Sequence, residues 1–234
     1  MKLVESGRIS RLARRWSNAE LRKFAGWFPG DIANVSGWRD EDKEGAHYAD
    51  YFTQKASYTL TNYKSSARGL QGAANEIFLD LEAPLDRAFA ERFDVVWNHT
   101  VLEHIYEFQA AFQNLCAMSR DLVIIVVPWL QPYHGDYGDY WRFSPLAVQK
   151  MYEANGLSPL YLSFNEDAFA SVYVFALGSK HPERWRARFS SPSSPSSPSS
   201  PASPVAIKNA ANRVAGERAI VQGIRGALRV LRGK

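Results

Sequence analysis

The chain has little cysteine, no long apolar run and no visible cluster of metal-ligating residues, and each shortage excludes a class of protein. Cys116 is the only cysteine among 234 residues, so no intramolecular disulfide can form. The longest apolar run, residues 122–130, has nine residues and contains Pro128, whereas roughly 20 are needed to cross a bilayer. We therefore expect a folded protein without a disulfide framework, a metal site or a transmembrane helix, and a small buried side chain at Cys116.

Charge is unevenly distributed along the chain. Residues 1–23 carry a net charge of +5 and residues 205–234 carry +6, so, with a total of +4, the residues between them carry −7. An acidic body argues against a nucleic-acid partner, and basic ends favour contact with an anionic membrane surface, a protein partner or the acidic body itself. Because the N-terminus lacks the apolar segment of a secretory signal, we expect a cytoplasmic protein that becomes membrane-peripheral if its ends dock.

The composition divides the chain into four segments. Residues 1–23 form a basic segment with Ile9, Leu12, Trp16 and Ala19 or Glu20 at roughly helical spacing, which either packs on the domain or lies in a membrane interface. Residues 24–189 are rich enough in apolar positions for one domain. Residues 190–204 repeat Ser-Ser-Pro and predict an extended linker. Residues 205–234 predict a basic amphipathic helix, which the linker separates from the domain, so that docking on a membrane or partner is favoured.

Apolar and β-branched segments alternate with helical patterns over the predicted domain. The predicted strands are 31–38, 57–63, 76–81, 93–97, 121–129, 158–164 and 170–177. Ser144 and Pro145 predict a helix over 145–155, and the last two strands have no room for a helix between them. The pattern predicts an α/β fold: a doubly wound, mostly parallel seven-stranded sheet with an antiparallel edge hairpin and helical appendages at both ends.

The corner between the fourth strand and the segment after it is a candidate functional site. Asn98 and His99 follow a buried strand directly, and open α/β sheets bind ligands at the carboxyl ends of their strands. Thr100 and Glu103 have the spacing of a capping box, which predicts that a helix starts at Thr100. The apolar positions that would line this helix share one face; they are Val101, Ile105, Phe108, Phe112 and Leu115.

Two segments then carry a resemblance to a known family. Residues 93–105 read Phe-Asp-Val-Val-Trp-Asn-His-Thr-Val-Leu-Glu-His-Ile, and residues 134–145 read His-Gly-Asp-Tyr-Gly-Asp-Tyr-Trp-Arg-Phe-Ser-Pro. The sequence resembles class I S-adenosylmethionine-dependent methyltransferases, in particular type-11-like members associated with bacterial surface-glycan biosynthesis. The likeness spans roughly residues 30–180. It implies the Rossmann-like methyltransferase fold, S-adenosylmethionine as cofactor, and a glycan or other small molecule as acceptor.

The resemblance also implies which residues would meet the cofactor. Positions matching the glycine-rich loop would contact its methionine part, the end of the second strand its ribose, the end of the third its adenine, and the end of the fourth would form the far wall. In that order they are Val35, Ser36, Gly37 and Trp38; Asn62; Asp80 and Leu81; and Asn98 and His99.

Two positions depart from the family pattern. The first loop has a single glycine, Gly37, followed by the bulky Trp38, where several glycines usually let backbone amides approach the ligand. Asn62 stands where a carboxylate usually accepts both ribose hydroxyls. Two hypotheses follow: a methyltransferase that keeps its cofactor, and a non-catalytic methyltransferase-like domain that binds a partner.

Transfer to a hydroxyl acceptor requires a group that removes its proton. His134 is the first candidate base, because imidazole titrates near neutral pH and Asp136 and Asp139 are close enough in sequence to orient it; the alternative is a loop histidine bonded to backbone. His99 is the second candidate, with capping or packing as its alternative. His104 is interpreted as structural.

The segment after the fifth strand also offers side chains for an acceptor. Besides Asp136 and Asp139, the aromatic rings of Tyr140 and Trp141 could stack on a sugar, and the Arg142 guanidinium could bind an anionic group. Trp141 could equally belong to the core. The leading hypothesis is thus a cytoplasmic enzyme that O-methylates a glycan or glycan precursor.

Overall fold

The structure is a computed structural model that describes residues 12–64, 69–135, 138–166 and 171–189. The predictions made for residues 1–11, for Asp136, for the linker 190–204 and for the helix 205–234 lie outside these residues. Within the described ranges, no helix is both long and apolar enough to cross a membrane.

Seven strands form one sheet, as predicted. In chain order they are β1 (Gly30–Val35), β2 (Lys55–Asn62), β3 (Glu76–Phe78), β4 (Phe93–His99), β5 (Ser119–Leu130), β6 (Ser158–Phe164) and β7 (Val172–Ser179). The strand order is β3-β2-β1-β4-β5-β7-β6, with β1 to β5 parallel and β7 antiparallel to both of its neighbours. The apolar run of the sequence is β5, which lies between β4 and β7, where both of its faces are covered.

Helices cover both faces of this sheet, confirming the doubly wound prediction. The α-helices are α1 (Leu12–Phe24), α2 (Phe108–Met118), α3 (Pro145–Ala154) and the short α4 (Arg186–Phe189), and single 3-10 turns span Ala25–Trp27, Tyr48–Tyr51, Arg87–Phe89, Leu102–His104 and Pro182–Arg184. Residues of α2 and α3 pack into the core on one face, and residues of α1 into the core on the other. Helix α3 begins as predicted, with the Ser144 hydroxyl accepting from Ala147 N at 3.2 Å.

Helix α1 packs on the sheet, which is the first of the two interpretations for the N-terminal segment. Of the two alternatives for the last stripe position, Glu20 is buried and Ala19 is exposed, while Ala13, Leu21 and Phe24 are fully buried. Ser17 lies on the buried face as well, because its hydroxyl is 2.7 Å from His99 Nε2. A polar residue that bonds across the interface therefore occupies a position that hydropathy assigns to solvent.

The prediction that a helix starts at Thr100 is wrong. Thr100 has a positive φ of 50°, its amide donates to Val126 O at 2.8 Å, and only a 3-10 turn follows before α2 begins at Phe108. The Glu103 side chain is 1% exposed and faces the interior instead of returning to cap the chain. The predicted apolar face still reaches one core, in which Phe112 is buried.

Candidate functional site

A cleft of about 370 Å³ opens at the carboxyl ends of β1 to β4. In the strand order β1 and β4 are neighbours although they are far apart in sequence, so the cleft lies at the point where open α/β sheets place their ligands. Apolar walls and charged side chains both line it. The lining side chains used below are Arg14, Trp38, Glu41, Lys43, Asp80, Leu81, His99, Val101, His104 and Ile105.

The loop after β1 forms the near wall of the cleft, and its amides are engaged inside the protein. Ser36 N donates to Thr61 Oγ1 at 3.3 Å, Gly37 N donates to Thr61 O at 3.3 Å, and Trp38 N donates to Asn62 Oδ1 at 2.7 Å. Ser36 and Trp38 have φ values of 57° and 52°, a conformation that L residues rarely adopt. The loop is thus held against the end of β2, with these three donors already used.

Asn62 lies behind this loop and does not line the cleft, contrary to the expectation that it approaches a ribose. It is 1% exposed, and its amide nitrogen donates to Trp38 O at 2.9 Å and to Glu76 Oε1 at 2.5 Å. Gly37 is required by the same packing, since a Cβ there would collide with the Asn34 side chain. The departures from the family pattern therefore have a structural reason: an amide side chain holds the loop that glycines usually shape.

The other predicted cofactor positions divide between the lining and the interior. Asp80 and Leu81 line the cleft, as expected for the end of the third strand, and Asp80 Oδ1 accepts from Glu82 N at 3.0 Å. Val35 is fully buried in the core. Asn98 is also fully buried, and its Nδ2 donates to Val35 O at 2.9 Å, so it ties β4 to β1 beneath the cleft floor.

His99 lines the cleft with both ring nitrogens engaged. Nε2 is 2.7 Å from the Ser17 hydroxyl, and Nδ1 is 3.0 Å from Thr100 Oγ1. Burial and the nearby Arg14 guanidinium hold the pKa of His99 well below its ordinary value. A neutral ring with both nitrogens paired fits the packing interpretation of His99. The candidate base is then His134, which follows β5.

Arg14 is a cleft residue that the sequence analysis missed. From α1 its Nη1 donates to the Tyr48 hydroxyl and its Nη2 to Thr100 Oγ1, each at 3.1 Å. The guanidinium is always charged and is the strongest cation for a carboxylate. Nothing in the local sequence distinguishes Arg14 from the other basic residues of the N-terminal segment. Only the tertiary structure, in which Arg14 lies one helical turn before Ser17, shows that it faces inward.

His134 lies beside His104 and Glu103, at the end of the cleft where His104 forms the lining. The rings of the two histidines have centroids 5.0 Å apart, and His104 Nε2 is 3.8 Å from Glu103 Oε1. His134 Nδ1 is 3.2 Å from Asp139 Oδ2, the orienting carboxylate predicted from the sequence, although the pair is not aligned as a hydrogen bond. Burial raises the pKa of Glu103 to about 8.

Asp139 and Arg142 pair with each other and hold the segment after β5. Arg142 donates to the two Asp139 oxygens at 2.5 and 2.7 Å, and also to Gln131 O at 3.0 Å. These hydrogen bonds keep the pKa of Asp139 below its ordinary value. The predicted role of both residues in binding an acceptor gives way in this structure to positioning the loop that carries His134.

The aromatic residues of the same segment lie at the surface and in the core. Tyr140 is 54% exposed, and its ring is 5.5 Å from that of Tyr106, itself 61% exposed. Trp141 packs on Phe108 at a centroid distance of 4.9 Å and donates from Nε1 to Tyr106 O at 3.0 Å. Tyr140 is thus available to a ligand, whereas Trp141 belongs largely to the core.

No family model matches the sequence, and no curated protein matches it. Solved structures do match. A putative methyltransferase from Bacillus halodurans aligns with a TM-score of 0.50 at 11% identity, over 69% of this chain and 97% of its own. Magnesium protoporphyrin IX methyltransferase from Synechocystis, solved with bound S-adenosylmethionine, aligns with a TM-score of 0.51 at 13% identity, over 77% and 86%.

A third match is 1,6-didemethyltoxoflavin-N1-methyltransferase from Burkholderia thailandensis, solved with its substrate and S-adenosylhomocysteine. It has a TM-score of 0.51 at 14% identity, over 75% of this chain and 81% of its own. The chain has the class I methyltransferase fold. The cleft of this chain lies at the carboxyl ends of the strands, where open α/β sheets bind their ligands.

Proposed function

We propose that this protein is a methyltransferase that binds S-adenosylmethionine in the cleft at the ends of β1 to β4. The observation that carries the proposal is the cleft itself, a 370 Å³ cavity with apolar walls and charges of both signs. Its size is within the range of small-molecule and cofactor sites. The methyltransferase fold supports the same ligand without establishing it, because a fold hosts many functions.

The lining suits the chemistry of this cofactor. The cofactor carries a carboxylate, an ammonium and sulfonium pair of positive charges, a ribose and a flat adenine ring. Arg14 and Lys43 supply cations for the carboxylate, and Glu41 and Asp80 supply anions for donors. The side chains of Leu81, Val101 and Ile105 provide an apolar surface for a flat ring.

Under this proposal, the near wall contacts the cofactor through side chains and not through backbone amides. Because the amides of Ser36, Gly37 and Trp38 are engaged within the chain, side chains must hold the amino-acid part of the cofactor. Arg14 is the side chain best placed for this, since it enters the cleft from α1 and is fixed by Tyr48 and Thr100.

The bound cofactor would supply an electrophilic methyl group. The chain's part is to align an acceptor and to take its proton, and the end of the cleft next to His104 provides the groups for that step. His134 is the proposed base, supported by Asp139 at 3.2 Å from its Nδ1. Substitution of His134 by alanine should lower methyl transfer from labelled cofactor much more than cofactor affinity, and an equal loss of both would remove it as the base.

We propose a glycan or glycan precursor as the acceptor class. The exposed rings of Tyr106 and Tyr140, together with Tyr133 at 79% exposure, offer flat apolar faces of the kind on which sugars stack. Saturation-transfer NMR with mono- and oligosaccharides tests this, and replacing Tyr140 by alanine should reduce the transferred signal. Transfer that is unchanged in the variant would redirect the search to other small molecules.

Calorimetric titration with S-adenosylmethionine and S-adenosylhomocysteine tests the central proposal. We expect saturable binding of one equivalent, weakened about tenfold or more by Asp80→Ala, because the carboxylate lines the cleft. Glu153→Gln is the matched control, since this carboxylate lies on α3, is paired with Lys150 at 2.6 Å and does not line the cleft. No heat at millimolar ligand, or equal weakening in both variants, would refute cofactor binding at this site.

A second candidate function is a methyltransferase-like domain that binds a partner without catalysis. The specific observation in its favour is the loop after β1, whose amides are bonded to β2 and not presented to a ligand. The same titration separates the two candidates, because a domain that has lost the cofactor gives no heat with either ligand.

Membrane docking through residues 205–234 is a further part of the proposal and rests on their amphipathic, basic sequence. Sedimentation with anionic liposomes, with and without these residues, tests it. Equal pelleting of the two proteins would refute it.

A further inference from the structure

Three side chains with metal-binding atoms converge at one end of the cleft. Glu103 and His104 belong to the turn after β4, and His134 follows β5. One ligand atom from each lies within 4.8 Å of the others. The sequence predicts no metal site, because His134 is 30 positions from His104 and only the parallel pairing of β4 with β5 brings it to Glu103 and His104.

Glu103 is the least expected member of this group. It is 1% exposed, and neither carboxylate oxygen has a hydrogen-bond partner among the described residues. The backbone around it is fixed, since Tyr140 N donates to Glu103 O at 2.8 Å. A buried carboxylate is costly unless it is paired, hydrogen-bonded or bound to a cation, so this side chain points to a ligand that supplies positive charge.

His104 has the orientation of a metal ligand. Its Nδ1 is 2.5 Å from Gly138 O, which fixes the ring with the proton on Nδ1. Histidines that bind metals commonly donate their other ring nitrogen to a backbone carbonyl or a carboxylate in this way. The other ring nitrogen, Nε2, lies 3.8 Å from Glu103 Oε1.

His134 has a carboxylate on its other side. Asp139 Oδ2 lies 3.2 Å from its Nδ1 and accepts from its amide nitrogen at 2.8 Å, while Arg142 holds the same carboxylate in place. His104 therefore has an outer hydrogen-bond partner, the Gly138 carbonyl, and His134 has a carboxylate 3.2 Å from Nδ1 that is not aligned as a hydrogen bond. Such partners orient the ring and increase its basicity toward a metal.

We propose that Glu103, His104 and His134 bind a divalent transition-metal ion of the zinc type. Two imidazoles and one carboxylate are one of the ligand sets found in catalytic zinc sites, and imidazole favours zinc over magnesium or calcium. Tetrahedral zinc with bonds of about 2.0–2.1 Å requires ligand atoms about 3.4 Å apart. The ligand atoms lie within 4.8 Å of one another, so side-chain shifts of about 1 Å would bring them to that distance.

The site has a defined relation to the cleft. Three protein ligands leave a fourth position on tetrahedral zinc, and because His104 lines the cleft, that position is expected on the cleft side. A metal on the His134 nitrogen that faces the cluster excludes the base role of that nitrogen, so the base role proposed for His134 applies to the metal-free protein. Metal binding does not depend on cofactor binding, so the zinc experiment and the cofactor titration can fail independently of each other.

Equilibrium dialysis of the untagged full-length protein with zinc tests the site, after removal of metals with a chelator. We expect one zinc per chain and a higher melting temperature with zinc present, since ligands that bind only the folded state stabilise it. Cobalt in place of zinc should give the intense visible absorption of tetrahedral coordination. Glu103→Gln, which keeps the side-chain shape, should weaken zinc binding at least tenfold, and so should His134→Ala; His134→Gln replaces it if the alanine variant does not fold.

His181→Ala is the matched control, because His181 is 45% exposed in its side chain and lies away from the cluster near the end of β7. It should bind zinc with the affinity of the unchanged protein. The proposal is overturned by less than one bound zinc per chain, by equal weakening in the control and the cluster variants, or by magnesium binding as tightly as zinc.

Discussion

Two buried carboxylates, one on each side of the cleft, have opposite environments. Asp42, in the loop after β1, is fully buried and accepts from Glu44 N at 2.7 Å, from the Tyr51 hydroxyl at 2.6 Å and from Arg22 Nη2 at 3.1 Å. Although burial acts in the opposite direction, these donors lower its pKa. Glu103, equally buried after β4, has no such donors in the part of the chain that the structure describes, and burial raises its pKa to about 8.

This difference shows which side of the cleft satisfies its polar groups within the chain. On the near side, amides, carboxylates and the Asn62 side chain have partners within the chain, so that wall is stable without a ligand. On the far side, a buried carboxylate lacks a hydrogen-bond partner among the described residues. Native proteins rarely leave such groups unpaired, so the far side is where an external group is expected to bind.

The largest expected effect comes from breaking the near wall. Asn62→Ala removes the hydrogen bonds to Trp38 N and Trp38 O and leaves a buried donor unpaired, so we expect a loss of about 2–4 kcal/mol in the free energy of unfolding. Urea denaturation measures it. The exposed Asn75, whose Nδ2 donates only to Tyr58 O at 3.3 Å, is the control, and its alanine variant should change stability by less than about 0.5 kcal/mol.

The next prediction concerns the far wall, where a substitution is expected to raise the free energy of unfolding instead of lowering it. A carboxylate whose pKa is raised to about 8 in the folded protein destabilises it increasingly as pH rises from the unfolded value to 8. Glu103→Gln should therefore stabilise the metal-free protein by about 1–3 kcal/mol at pH 9, with little difference near pH 4.5. Urea denaturation with chelator present measures it, and destabilisation at pH 9 would show that Glu103 has a partner after all.

The corresponding carboxylate of the near wall should behave in the reverse way. The lowered pKa of Asp42 contributes stability that is fully present above the unfolded pKa of about 4 and is lost as pH falls through the folded value. Asp42→Asn should lose about 1–2 kcal/mol at pH 7 and less at pH 3. Denaturation at both pH values checks this, and an equal loss at both would show that shape, not charge, matters at this position.

The smallest effect tests a single amide of the loop. Thr61→Val keeps the side-chain shape and removes the acceptor of the 3.3 Å bond from Ser36 N, so we expect a loss of about 1 kcal/mol. If cofactor affinity in the same variant rises, the freed amide contributes to binding. Unchanged stability would mean that this bond has little strength and that the near wall is held chiefly by Asn62.

Sequence patterns predicted the strands well because the signal is local. The apolar run of β5, the hairpin of β6 and β7, and the cap at Ser144 each depend on neighbouring residues. The carboxyl ends of the strands were predicted as a ligand site because the strand boundaries are also visible in local sequence. The capping box at Thr100 failed because long-range partners, Val126 O and the Arg14 guanidinium, determine the conformation there.

The roles of individual cleft residues were harder to predict, since they depend on contacts across the sheet. Asn62 looks like a ribose ligand by position, yet its side chain bonds Trp38 in the loop after β1 and Glu76 in β3. Arg14 reads as one basic residue among several and Glu103 as a capping-box residue, until the tertiary structure places Arg14 in the cleft and buries Glu103. Side-chain partners separated by tens of residues leave no periodic signal in a single sequence.

Helix α1 closes one side of the cleft through contacts that are remote in sequence, and this affects the order of assembly. Arg14 bonds Thr100 across 86 positions, and Glu20 accepts from the Tyr161 hydroxyl across 141. During synthesis α1 emerges first, is too short to be stable alone, and cannot dock until β4 and then β6 have formed. The cleft is therefore completed late in folding, and a partly folded chain would have the sheet before it has a binding site.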